Sequence, residues 1–225
     1  MANYVIDPKL LAAYLPAGTE LDFWNGNCYV SLVGFMFVNT KLLGIKVPFH
    51  VDFEEVNLRF YVKRFENNEW KRGVVFIKEI VPKPALTFVA NTLYNEKYET
   101  LPMRHSWKEN AENRVVDYQW KKNGHWQSFK VVAALTPSEI APNSETEFIT
   151  EHYWGYAKVN DSVTNEYEVT HPKWEQYTVQ SAEISVDFEL VYGSEFAFLT
   201  ERNPDSVLLA EGSKITVEGK KTIRI

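Results

Sequence analysis

The sequence predicts a mainly β protein (α+β), an antiparallel sheet or barrel with a few short helices, and three observations lead there. Aromatic residues make up 15% of the 225 residues, with 14 Phe, 12 Tyr and 7 Trp spread along the chain, a bias toward strands and thick cores. Segments that alternate apolar and polar residues recur at short spacing. Between them stand Asn25-Gly26, Asn67-Asn68, Asn123-Gly124 and Asn160-Asp161, pairs that turn a chain back on itself.

The elements follow in order. Asp7-Pro8 ahead of Leu10, Leu11, Tyr14 and Leu15 predicts a short capped helix ended by Pro16 and Gly18. Residues 19–24 and 28–38 predict a hairpin turning at Asn25-Gly26, and 43–48 a loop or an edge. Residues 53–63 and 72–81 predict a second hairpin, closed at Asn67-Asn68-Glu69. Pro84 with Leu86, Val89, Ala90 and Leu93 has helical spacing. Strands are predicted at 103–107, 114–121 and 125–135, the last two joined at Asn123-Gly124. Residues 145–151 supply one or two helical turns, and 153–159 with 164–170 a hairpin around Asn160-Asp161. Residues 177–190 form a strand region, 194–201 a helix, and 207–210 and 215–225 closing strands. The Pro/Ser/Asn connection at 136–144 is the best candidate boundary, too short to establish two domains.

Composition excludes several functions. A net charge of −6 with mixed signs gives no basic surface for nucleic acid. Cys28 stands alone, so no intramolecular disulfide forms, and its setting is that of a small buried hydrophobe. Met1 is followed by polar residues rather than a basic and then an apolar stretch, and the longest apolar run, 29–38, is too short for a bilayer. The expectation is a cytoplasmic protein with no membrane partner.

His50, His105, His125, His152 and His171 lack the spacing of a metal site, so no metal is expected. With no Gly-rich phosphate loop and no Gly-x-Ser-x-Gly elbow, no cofactor is expected either. A Schiff-base lysine needs a dry pocket or a second cation to shed its proton. Lys121-Lys122 and Lys220-Lys221 flank turns, and Lys97 lies between Glu96 and Glu99, whose charges favour the ammonium form.

The most informative stretch is Phe53-Glu54-Glu55-Val56-Asn57-Leu58-Arg59-Phe60-Tyr61-Val62. In a strand, Glu55, Asn57, Arg59 and Tyr61 share one face, and Val56, Leu58, Phe60 and Val62 the other, which must be core. Facing out, the polar row is an ordinary solvated face. Facing in, it brings a carboxylate, an amide, a guanidinium and a phenol to one enclosed space, as ligand sites require. The residues alone leave both open.

That segment, then Arg72-Gly73-Val74-Val75-Phe76, Thr150-Glu151-His152-Tyr153-Trp154-Gly155-Tyr156, Tyr167-Glu168-Val169-Thr170-His171-Pro172-Lys173-Trp174 and Ser206-Val207-Leu208-Leu209-Ala210-Glu211-Gly212-Ser213, resembles the YqjF-like domain of unknown function. That family is grouped with acetoacetate decarboxylase-like proteins. The resemblance implies one domain over residues 1–225, a cone-shaped antiparallel β-barrel with a central ligand cavity, and a polar row turned to its lumen. It implies that Glu55, two residues after Phe53, lines the pocket. The family's Schiff-base lysine sits in a Pro-Lys-Lys segment after a helix; the matching residues 93–99 put Tyr98 at the nucleophile and Lys97 one residue early, on the other face. The family's further pocket arginine has no counterpart in the matching part of this chain.

The candidate site is therefore Glu55, Asn57, Arg59 and Tyr61, with Tyr98, His105 and His152 nearby. The expected partner is a small organic acid, a carboxylate or keto acid, gripped by Arg59 while Glu55 holds Arg59 or accepts a donor; a homo-oligomer is compatible with this. Two alternatives stand beside it. One is an enzyme related to acetoacetate decarboxylase that uses Glu55 as acid and base without the lysine, its pKa raised by enclosure. The other is a structural or interaction protein whose Glu55–Arg59 pair balances buried charge.

Overall fold

A computed structural model describes residues 1–39 and 52–225; the loop or edge predicted at 43–48, and His50, lie outside them. In chain order the strands are β1 (Ala2–Val5), β2 (Glu20–Leu21), β3 (Tyr29–Phe37), β4 (Phe53–Glu66), β5 (Glu69–Val81), β6 (Tyr98–Thr100), β7 (Met103–Glu109), β8 (Arg114–Lys122) and β9 (His125–Glu139). Then come β10 (Trp154–Asn160), β11 (Val163–Thr170), β12 (Glu175–Ser185), β13 (Ser206–Val207), β14 (Leu209–Ala210), β15 (Thr216–Val217) and β16 (Lys221–Arg224). Short helices decorate them: α1 (Pro84–Val89), continued by a π-helical segment at Ala90–Tyr94, α2 (Glu145–Thr150) and α3 (Phe188–Tyr192), with 3-10 segments at Pro8–Leu11 and Ser194–Leu199 where helices were expected.

The strands form two sheets. The larger runs β13-β1-β3-β4-β5-β10-β11-β15, with β2 beside β4, β6 beside β5 and β16 beside β11. It is mixed, because β6 and β10 pair parallel with β5. The smaller runs β14-β12-β9-β8-β7 and is antiparallel throughout. The expected cone-shaped closed barrel is not found among the described residues. Closure requires end strands to pair, and β7 and β14 end one sheet while β13 and β15 end the other.

The main core lies between the sheets. Val56, Leu58, Phe60 and Val62 of β4, all fully buried, meet Tyr118 and Trp120 of β8 and Phe129, Val131 and Ala133 of β9. Removing each such side chain from water is worth about 1.5–3 kcal/mol. A second cluster, Tyr29, Tyr61, Val74, Phe148, Ile149 and Leu208, lies under α2, which Ser144 starts by accepting the Glu147 N–H. That helix roofs part of the face carrying the polar row. Glu55, Asn57 and Tyr61 are each 1% exposed, so the solvated-face alternative is excluded.

The turns form as their residues require. Asn25 and Gly26, Asn67 and Asn68, and Asn123 and Gly124 all take positive φ, between 48° and 85°. Several elements differ from expectation. Residues 136–139, expected in a connection, extend β9 to Glu139, and 137–139 pair with β12. Residues 19–24 do not zip to 28–38: beyond the Trp24↔Asn27 bridge the chain diverges, and β2 pairs with β4. Residues 2–5 form β1 between β3 and β13, four residues being too few to show a period. The strand predicted to 190 stops at Ser185, because the Asp187 carboxylate accepts the Leu190 N–H and starts α3. Among the described residues, no helix is long and apolar enough to cross a membrane.

Candidate functional site

Strand register assembles one end of the site. Asn57 of β4 lies opposite Glu79 of β5, and Glu79 lies opposite Tyr98 of β6, a lateral row across three strands. Glu55 stands one pleat along. Its Oε1 accepts the Asn57 Nδ2–H at 2.9 Å and its Oε2 the Tyr98 hydroxyl at 3.1 Å. Glu96, two residues before Tyr98 in the segment leading into β6, accepts the Tyr167 hydroxyl at 2.9 Å. Asn95, in the left-handed conformation at the end of the helical segment, turns the chain so that Glu96 and Tyr98 enter this row.

Burial sets the charge state here. It lifts the Glu55 carboxyl to about 7 against the pull of Asn57, Tyr98 and Arg59. It lifts Glu96 to about 7 and Glu79 well above the usual carboxylate range, and the neighbouring carboxyls add to both. The Tyr98 and Tyr167 hydroxyls are pushed far up and stay neutral donors. Glu79 Oε2 and Asn57 Oδ1 find no partner among the described residues.

Arg59 departs from this group. A bulge falls between Leu58 and Arg59: Leu58 faces Lys78 but Arg59 faces Phe76. The half-buried Arg59 guanidinium donates to the Ile149 carbonyl at 3.3 Å and reaches the Met1 sulfur at 3.8 Å, over the Tyr61 ring. Among the described residues its Nε has no partner and no carboxylate pairs with it. The direct Glu55–Arg59 pair considered from the sequence is not formed.

Tyr61 and His152 lie beside Arg59. The Tyr61 hydroxyl is 2.7 Å from Ser31 Oγ, which donates to Asn3 Oδ1. The rings of Tyr61 and His152 are 4.8 Å apart. His152 Nε2 lies 3.2 Å from Asp22 Oδ2, which also accepts the Arg72 Nε–H at 2.7 Å. Burial takes the imidazole down to about 4 despite Asp22. It is neutral near pH 7, and with Nε2 donating to Asp22 its Nδ1 is an acceptor with no partner.

His105 does not join them. It sits on β7 in the smaller sheet, 3.4 Å from Glu54, and Glu54 points to the face opposite Glu55. Lys97 also lies off the row, its ammonium 4.7 Å from the Tyr14 ring. Its pKa is lowered, by burial first, with Glu96 opposing. This reverses the sequence expectation, because burial outweighs Glu96; Glu99 is engaged by Lys78 and Lys122 instead. Among the described residues no three His, Cys, Asp or Glu side chains are placed to share a metal ion.

Sequence reasoning missed Glu79, Glu96, Tyr167 and Asp22. Only Glu79 carried a signal: it is a lone carboxylate in the apolar run Val74-Val75-Phe76-Ile77-Lys78-Glu79-Ile80-Val81.

Two packed sheets, one of them burying a polar row on its far face, make a fold that solved acetoacetate decarboxylase-like proteins share. The chain is similar to an acetoacetate decarboxylase-like enzyme from Sphingomonas wittichii RW1, with a TM-score of 0.57 at 15% identity over 99% of this chain and 85% of that one. It is similar to the enduracididine biosynthesis enzyme MppR complexed with pyruvate, with a TM-score of 0.62 at 12% identity over 98% and 86%. At such identities the likeness concerns the fold. A model of the DUF2071 family, uncharacterized conserved proteins, matches residues 1–214, and the chain belongs to that family. It is also 26% identical over 209 residues to the uncharacterized protein YqjF of Bacillus subtilis (strain 168), covering 90% of this chain and 81% of YqjF.

Proposed function

We propose that the protein binds a small organic acid on the polar face of β4 under α2, with Arg59 taking the carboxylate. One observation carries this: the Arg59 guanidinium is half-buried and, among the described residues, has a carbonyl and a thioether for company and an Nε–H with no acceptor. A cation withdrawn from water without an anion is costly, and a planar carboxylate answers that cost with paired, charge-assisted bonds. MppR, which shares the fold, has been seen with pyruvate; that is a property of MppR, and here it supports the size and class of ligand only.

A second reading rests on Glu55. A carboxyl held near 7 by burial, with both oxygens fixed by Asn57 and Tyr98, has the pKa of an acid–base catalyst at neutral pH. A ligand anchored on Arg59 would extend toward it along β4. Binding comes first in either case.

Thermal-shift screening of short carboxylic and keto acids tests it. A ligand specific for the folded state raises Tm with concentration. The wild type is expected to respond and Arg59→Ala to lose the response, with Arg59→Lys intermediate because it keeps the charge but not the fork. A wild type indifferent to every acid would end the reading.

A further inference from the structure

The unpartnered polar atoms along the polar row of β4 and its neighbour β5 differ between its two ends. Among the described residues, the orphans at the Arg59 end are its Nε–H, a donor, and His152 Nδ1, an acceptor; at the Glu55 end they are Asn57 Oδ1 and Glu79 Oε2, the latter an acceptor once Glu79 is ionised, with no donor among them. Glu79 is 2% exposed and Asn57 1%, so bulk water does not serve them. Their surroundings are acceptor-rich as well. Glu55 and Glu96 are the neighbouring carboxyls, and the Tyr98 and Tyr167 hydroxyls have already given their protons to Glu55 and Glu96. Among the described residues, the cations felt by these carboxyls act from a distance: Arg59 on Glu55 and Lys97 on Glu96.

We propose that the ligand is a small zwitterion, its carboxylate on Arg59 and its ammonium or guanidinium end among Glu55, Asn57 and Glu79. This rests on the acid-binding reading above and adds the chemistry of the ligand's other end. A multi-donor cation supplies what that end lacks: N–H groups for two stranded oxygens and positive charge for a cluster of buried carboxyls. A single metal ion does not fit as well, since no three of these groups are placed to share one. The spacing suits a short aliphatic chain. Along an extended strand, residues two apart on one face are separated by about 6.6 Å and residues four apart by about 13 Å, which brackets the distance from Arg59 to Asn57 and to Glu55. Burial lifts Glu55 and Glu96 to about 7 and Glu79 higher, so these carboxyls hold protons readily, and a cationic head would take the place of those protons.

Titration calorimetry on the full chain separates the two claims, using four probes of similar length: valerate, δ-aminovalerate, γ-guanidinobutyrate and amylamine. The wild type is expected to bind at least one zwitterion about tenfold or more tighter than valerate, the worth of a charge-assisted bond. In Glu79→Gln, which keeps the shape and removes the charge, that advantage should shrink towards none. Glu55→Gln provides the same test at an independent position, should the first variant fold poorly. Arg59→Ala should weaken the zwitterions and valerate alike. Valerate and both zwitterions binding the wild type equally, with Arg59→Ala weakening all three, overturns the zwitterion and leaves acid binding standing. Amylamine binding as well as the zwitterions, indifferent to Arg59→Ala, overturns the Arg59 contact and with it the acid-binding reading. Silence from all four overturns both.

Discussion

Tyr98 and Lys97 show how one residue of register decides chemistry. Tyr98 occupies the place where the family resemblance puts an amine, and its hydroxyl bonds Glu55. Lys97 is next in sequence but on the other side of the extended chain, over Tyr14, while its carbonyl accepts the Glu79 N–H. A keto acid lying on Arg59 therefore meets no lysine amine. Borohydride treatment in the presence of keto acids, followed by mass spectrometry, is expected to yield no stoichiometric lysine adduct; one mapped to Lys97 would show that the chain rearranges there. At this scale the sequence was partly legible. Alternation along β4 placed Glu55, Asn57, Arg59 and Tyr61 on one face because that needs only the pleat. Glu79 and Glu96 come beside Glu55 through the β4–β5–β6 register, which no single strand encodes. Arg59 is parted from Glu55 by four residues of extended strand, about 13 Å, a separation that was legible in β4 itself; the bulge opposite it in β5 was not.

Among the elements, the β10–β11 hairpin positions the acidic end through a missing side chain. Gly155 pairs directly with Tyr167, and a Cβ at Gly155 would lie 2.1 Å from the Tyr167 ring. The ring thus packs flat over the glycine, and from there its hydroxyl reaches Glu96. Gly155→Ala has to displace that ring, at a cost of about 1–3 kcal/mol, and should release Glu96 from its donor. Denaturant unfolding of Gly155→Ala against Gly219→Ala, where a Cβ meets nothing within 4 Å, should show a loss in the first and little in the second. Equal losses would mean that Tyr167 yields freely. Hairpins and turns were the most legible elements, since Asn and Gly at positive φ report local geometry. The β2–β4 pairing and the α3 start were not, because a two-residue strand has no period and Asp187 looks like any polar residue in an alternating run.

For the whole molecule, composition and alternation revealed a mostly β chain, but closure depends on which distant strands become neighbours, and there the expected barrel gave way to two open sheets. Packing those sheets and roofing one face with α2 is what encloses ionisable groups, and this leaves a signature in stability against pH. Glu55 rises from 4.5 to about 7 on folding. A raised carboxyl contributes stability that is full below its unfolded value and is lost as pH climbs through its folded one. His152, lowered from 6.5 to about 4, and the Met1 amine, lowered from 8.0 to about 5, act in the opposite sense, their contributions being lost on acidification. Because these slopes oppose one another, the wild-type curve alone is not diagnostic, and the difference from Glu55→Gln is. That variant keeps the other groups and cannot ionise. From about pH 6.5 to about pH 8 it should gain on the wild type by on the order of 1 kcal/mol, the part of one carboxyl's linkage that falls in that interval. The check is a pair of denaturant series at each pH. Parallel curves would mean that Glu55 ionises in the folded protein as readily as in water, which requires solvent where the sheets and α2 now exclude it.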